Sequence, residues 1–274
     1  MIEELLLPLQ LPFMRDAFLI TLMVAVPSAM LSCFLVLKGW SLMGDAVSHA
    51  VLPGIVLAYI LGAPLALGAF ITGVVCALTT GWLAERSRVK RDTVMGVVFS
   101  AMFALGLVMY TKIRTDVHLD HILFGDMLGV ATRDLIEAGA IGLFVVAAIL
   151  IRRRDMVLHA FDPAQALGLN ARVLHYGLLI MLTLCVIAAM KAVGIILAIA
   201  LLIAPGATAF LVTHRFAAML AVSVGVAVTS VVTGVYTSFF IDSAPAPTVV
   251  LVMTGFFIAA FALSVMRAQR MGAV

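Results

Sequence analysis

Residues Ile195–Thr213 read IILAIALLIAPGATAFLVT, nineteen consecutive residues without a charge. A helix that crosses a bilayer needs about 20 predominantly apolar residues, so this stretch is a transmembrane helix. Working outward from it, the same pattern recurs along the chain, punctuated by turn signals. A neighbouring span covers about 176–191, separated by a short turn near Lys191–Gly194. Upstream lie spans at about 16–37, 42–61, 65–84, 93–111 and 134–151, and downstream at 216–238 and 247–266. The expected fold is an all-α polytopic membrane protein of nine spans, or eight if the 191–194 break is not a turn. Residues 1–14, interrupted by Pro8 and Pro12, are expected to lie on the membrane surface, and residues 152–175 form a long polar connection. Glu3 and Glu4 stand where a cleaved signal peptide would carry lysines.

Composition agrees. The chain has 274 residues, 64% hydrophobic and 11% charged, with a mean hydropathy of +1.22. A soluble domain averages roughly 45–50% apolar and about 25% charged residues, and a single core could not hide this much apolar surface. A soluble enzyme and a nucleic-acid-binding module are both excluded. The spans leave no residues for a second domain, so 1–274 is one transmembrane unit. Cys33, Cys76 and Cys185 are isolated within apolar runs, so neither a disulfide framework nor a thiolate metal site is indicated.

The few charges orient the set. With nine spans, Lys38, the four basic residues of 86–91, Arg152 to Arg154, Arg172, Arg215, Arg267 and Arg270 share one side, 12 of the 17 Lys and Arg residues. Arg15, Lys112, Arg114, Arg133 and Lys191 occupy the other, with Asp116, Asp120, Asp126, Asp134 and Asp242. The positive-inside rule makes the first side cytoplasmic.

Four segments carry candidate chemistry. In the second span, Asp45 and His49 are four residues apart and share a helix face. Ionisable groups within a membrane helix face a bundle interior or a wet cavity, and a carboxylate with an imidazole suits a divalent first-row metal. A self-satisfied Asp–His pair between helices is the plainer alternative. Pro53-Gly54 predicts a break in this helix. The outer connection, 112–134, holds Asp116, His118, Asp120, His121 and Asp126, able to attract a cation or simply solvated. In the 152–175 connection, Asp162-Pro163 is a helix start and Gly168 a stop, giving a one- to two-turn exposed helix that is either a docking element or a plain loop helix. Pro205-Gly206, with Ala204, Ala207, Thr208 and Ala209, allows close helix approach or marks a pathway. The chain has no phosphate-binding G-x-x-x-x-G-K-[ST] loop, no H-E-x-x-H and no G-x-S-x-G.

GWSLMGDAVSHAVLPGIVLAY from Gly39, DHILFGD from Asp120, DPAQALGLN from Asp162 and VGIILAIALLIAPGATAFLV from Val193 together resemble the bacterial metal-ion ABC-transporter permeases. The match is nearest to the manganese/iron branch, with the zinc branch similar. The four segments fall in the family's order across nearly the whole chain.

The resemblance implies a non-enzymatic permease subunit of a binding-protein-dependent importer in the bacterial inner membrane, with a cytoplasmic C-terminus. Its partners would be two cytoplasmic ATPase subunits, an extracytoplasmic metal-binding protein and a second permease chain, identical or paralogous. It carries no tightly bound cofactor, only a transported Mn, Fe or Zn ion. Asp45 and His49 map onto the family's metal site in the translocation pathway. Asp162, Pro163, Ala166, Leu167, Gly168 and Asn170 map onto its coupling helix. His118, Asp120 and His121 are candidates for the entrance. The residues alone leave two other readings open: a proton-coupled secondary metal transporter with Asp45 and His49 as relay, and an intramembrane enzyme using that pair as acid and base.

Overall fold

A computed structural model describes Pro8, residues 10–112, Met127, and residues 129–161 and 171–270. The described residues form ten helices and no strand. They are α1 (Pro12–Leu37), α2 (Met43–Ala50), α3 (Leu52–Ile60), α4 (Leu65–Arg86), α5 (Arg91–Lys112), α6 (Thr132–Ile151), α7 (Arg153–Phe161), α8 (Ala171–Val212), α9 (Phe216–Phe240) and α10 (Pro245–Arg270). Helix is the expected answer in a bilayer, where each backbone N–H and C=O must be satisfied within its own segment.

Among the described residues, eight stretches are long and apolar enough to cross a membrane, and one of these, Val173–Val212, is 40 residues long. At 1.5 Å per residue, a straight helix of that length would span about 60 Å, twice the hydrocarbon thickness. It does not run straight. Gly194 has φ 82° and ψ 169°, and it is the one residue of α8 with non-helical dihedrals. Its positive φ is open to glycine at no steric cost.

The neighbours of the two limbs show the reversal. The His175 ring lies 4.9 Å from the Trp40 ring, at the end of α1. Gly206 packs so tightly on Ser32 of α1 that a Cβ there would come within 2.6 Å of the Ser32 backbone. Thirty-one residues of straight helix would hold these two points roughly 45 Å apart. The limbs therefore form a hairpin, and the eight apolar stretches make nine passes. At the turn, the Lys191 Nζ donates to Asp134 Oδ1 at 2.6 Å and Glu137 Oε2 at 2.7 Å, and Arg133 Nε reaches Glu137 Oε1 at 2.8 Å. This network ties the hairpin tip to the start of α6.

One expectation shifts. Helix α1 begins at Pro12 in its first turn, so residues 12–14 belong to it rather than to a surface segment, and Met14 is buried. Proline is pre-set for that position because it lacks the N–H that would go unpaired there. At Pro205-Gly206 the expected close helix approach is present, with Gly206 packed against α1.

Association of helices in lipid depends on close van der Waals packing and interhelical hydrogen bonds. Both are present. A Cβ at Gly54 of α3 would overlap the Gly68 carbonyl oxygen of α4, and one at Gly68 would overlap that of Gly54. Ser223 Oγ of α9 donates to the Ala29 carbonyl of α1 at 2.6 Å. Near the arginine-rich end, His159 of α7 is only 7% exposed, and neither ring nitrogen has a hydrogen-bond partner among the described residues. Its ring lies edge-on to His175, 6.3 Å away. Burial, and then the nearby Lys38 ammonium, hold the His159 pKa below the ordinary histidine value.

Substituting Gly54 with valine should separate α3 from α4 and cost roughly 1–3 kcal/mol by overpacking, read as a lowered unfolding temperature in detergent. Gly255→Ala, where nothing lies within 4 Å of an added Cβ, should leave that temperature unchanged. For His159 the neutral form is favoured on folding, so the unfolded chain takes up the proton first as pH falls. Stability should drop on acidification below about pH 6.5, by at most about 1.4 kcal/mol per pH unit. His159→Phe should lose that component of the pH dependence while keeping stability at pH 7.5, measured by thermal melts from pH 7.5 to 5.5.

Candidate metal site

The second pass starts after the turn 38–42. Gly39 there has φ 66°, and Trp40 donates its N–H to the Leu35 carbonyl at 2.7 Å. The pass is broken at Val51, between α2 and α3. The cause is Pro53, which cannot donate to the His49 carbonyl four residues back and crowds it sterically. The helical segment that holds Asp45 and His49 is therefore only the eight residues Met43–Ala50.

Nearly every other face of α2 is packed. Gly44 abuts Leu202 of α8, where a Cβ would lie 2.9 Å from the leucine side chain. Val47 approaches Gly73 of α4. Ala46, Ser48 and Ala50 are buried, and Ser48 Oγ donates back to the Gly44 carbonyl at 2.9 Å. The Asp45 and His49 side chains remain 35% and 31% exposed. Their orientation follows from helical spacing: four residues put both on one face, and the surrounding packing leaves that face open. His49 Nε2 lies 3.4 Å from Asp45 Oδ1, as expected of two groups converging on a shared point rather than of a tight ion pair.

Helix α5 walls the site. The His49 ring lies edge-on to Phe103 at 5.4 Å and tilted to Phe99 at 6.2 Å. One to two turns on, Gly106 lets α5 pack directly on Leu52 and Pro53. Aromatic rings against one side of the imidazole restrict its rotation and leave the Asp45 side accessible.

The structure thus brings together the Asp45–His49 pair. Among the described residues no group of three or more His, Cys, Asp and Glu forms a metal cluster, and the three cysteines are buried. One chain supplies one carboxylate and one imidazole. His118, Asp120 and His121, with Asp116 and Asp126, fall outside the described residues. So do Asp162, Pro163, Ala166, Leu167, Gly168 and Asn170. The flanks of this last segment are described, and they end at the same place: His159 and His175 meet, and His175 packs on Trp40, five residues before Asp45. The sequence reading passed over Phe99, Phe103 and the Trp40–His175–His159 contacts. The aromatic spacing of Phe99 and Phe103 marks one face of α5 but not what that face meets. His159 and His175 stand on either side of a loop, a cue to proximity that only the tertiary packing completes.

Comparison with known proteins bears on the whole chain. The chelated iron transport system membrane protein YfeD of Yersinia pestis is 52% identical over 255 residues, covering 92% of this chain and 86% of the relative. The manganese transport system membrane protein MntB of Synechocystis is 44% identical over 255 residues, covering 92% and 83%. Among solved structures, PsaBC from Streptococcus pneumoniae superposes with a TM-score of 0.84 at 34% identity, covering 95% of each chain. Residues 10–264 match the ABC 3 transport family, and this chain belongs to that family.

Proposed function

We propose that the chain is the membrane permease subunit of a binding-protein-dependent ABC importer that carries manganese or iron into the cytoplasm. The observation that carries this reading is the half-built site: a carboxylate and an imidazole on a helix packed on its other faces, opening outward with too few donors to hold an ion. Two such chains facing each other supply two carboxylates and two imidazoles. An oxygen/nitrogen set without thiolate favours the harder first-row ions and disfavours copper(I). Relatives described as iron and manganese transport proteins favour those two metals over zinc.

In this reading the arginine-rich side is cytoplasmic, as is the C-terminus. The ion arrives from an extracytoplasmic binding protein, past an entrance that includes His118, Asp120 and His121. It rests between the two Asp45/His49 pairs and leaves inward as ATP closes a pair of separate ATPase subunits. Those subunits dock on Asp162–Asn170. Loop movement reaches the site through the flanking histidines, since His175 packs against Trp40 at the start of the segment that positions Asp45. The chain hydrolyses no ATP.

In proteoliposomes containing permease, ATPase and binding protein, Asp45→Ala and His49→Ala should each reduce manganese and iron uptake to background while assembly and basal ATP hydrolysis persist. Uptake surviving both changes removes the site assignment. Uptake by the permease alone, driven by a pH gradient, identifies a secondary carrier instead. Gly168→Trp should lower transport-linked ATP hydrolysis without changing the binding protein's affinity for metal. Unchanged linked hydrolysis removes the coupling assignment.

A further inference from the structure

At the arginine-rich end, where α6 has just ended at Ile151 and α9 begins at Phe216, a groove of about 400 Å³ is lined by Arg153, Arg154, Val157, Leu158, Phe216 and Ala217. The three arginines in sequence differ in what they do. Arg152 bonds Asp155 at 3.2 Å. Arg153 and Arg154 are exposed and have no ion pair among the described residues. Arg215, also exposed, immediately precedes Phe216. A larger groove of about 740 Å³ lies between Leu78, Thr79, Trp82, Tyr176 and Ile180, but there the neighbouring Arg86 guanidinium is already stacked over the Trp82 ring at 4.6 Å. The smaller groove is therefore the one that joins uncompensated positive charge to an apolar wall at the level where the spans end.

We propose that this groove binds an anionic phospholipid, its phosphate against Arg153 and Arg154 and one acyl chain along Val157, Leu158, Phe216 and Ala217. Each half of the site matches one half of that molecule. Guanidinium groups donate two parallel hydrogen bonds to phosphate oxygens. The Val157, Leu158, Phe216 and Ala217 walls offer no partner for a polar polypeptide segment; Leu158 and Ala217 are exposed, while Val157 and Phe216 pack partly against the core. Basic pockets between helices at a membrane face are suited to such headgroups. The site holds α7 to α9, and α7 leads directly into the 162–170 connection, so lipid occupancy braces the base of that connection. The binding claim is independent of the metal reading.

The test uses the full-length permease in detergent, titrated with phosphatidylglycerol and read by native mass spectrometry. Each Lys or Arg near a membrane surface contributes enough that Arg153→Gln/Arg154→Gln should weaken retention by about 30-fold. Ala217→Phe keeps every charge and fills the apolar wall, and it should also lower retention by at least about tenfold. Arg88→Gln/Lys90→Gln removes two charges from the same side by topology and should change retention by less than about twofold. Equal losses from the control pair would overturn the proposal in favour of general surface charge. Unchanged retention in both groove variants would overturn it outright. Displacement of the lipid by millimolar inorganic phosphate, with Ala217→Phe silent, would make this an anion site without lipid. Loss of ATPase subunit co-purification with lipid retention intact would assign the arginines to a protein partner.

Discussion

A carboxylate and an imidazole on an eight-residue helix that is packed on its other faces set the terms for the rest of the molecule. Placing either group in a bilayer is expensive unless it meets a partner or water. Gly44 against Leu202 and Val47 against Gly73 leave α2 little room to rotate and turn the pair away, and Gly106 against Pro53 holds α3, which follows it. The partial exposure of Asp45 and His49 is then a consequence of their surroundings: α4 and α8 hold the opposite faces of α2, and the Phe99 and Phe103 rings of α5 flank the imidazole, leaving the Asp45 side open. The chain concentrates its rigidity where it keeps its least comfortable residues.

Much of this architecture was legible in the residues. The boundaries of the apolar runs lie within a few residues of the helices because hydrocarbon thickness acts on each segment independently, with no need of tertiary information. The Lys191–Gly194 turn was legible because a charge and a glycine interrupt an otherwise continuous apolar stretch. The start of α1 was misplaced because Pro12 read as an interruption, whereas it initiates the helix and the apolar Met14 packs inward. At Pro205-Gly206 the small residues signalled close helix approach, and Gly206 is pressed against Ser32.

Asp45 and His49 were legible by the same logic of spacing, since four residues on a helix is a statement about one face. Their surroundings were not. Phe99 and Phe103 meet His49 from 50 and 54 positions away in sequence, and Trp40 meets His175 across 135 positions. Lateral packing between spans leaves little periodic trace, because in lipid the outward and inward faces of a helix are both apolar. The charged contact of Lys191 with Asp134 and Glu137 was visible only as Lys191 and Asp134 falling on the same side.

The reversal at Gly194 has a topological consequence. Each crossing inverts the side on which every later residue emerges, so a single residue in the left-handed region decides the parity of the whole chain. With the hairpin closed, Pro12 and Arg270 lie on opposite faces of the bilayer, and α9 and α10 run in the senses they have. Were the two limbs one continuous rod, everything after residue 194 would be mirrored across the membrane, and Arg215, Arg267 and the tip of α10 would exchange compartments with Asp242. The distribution of arginines and the conformation of one glycine are thus two independent records of the same decision, and they agree.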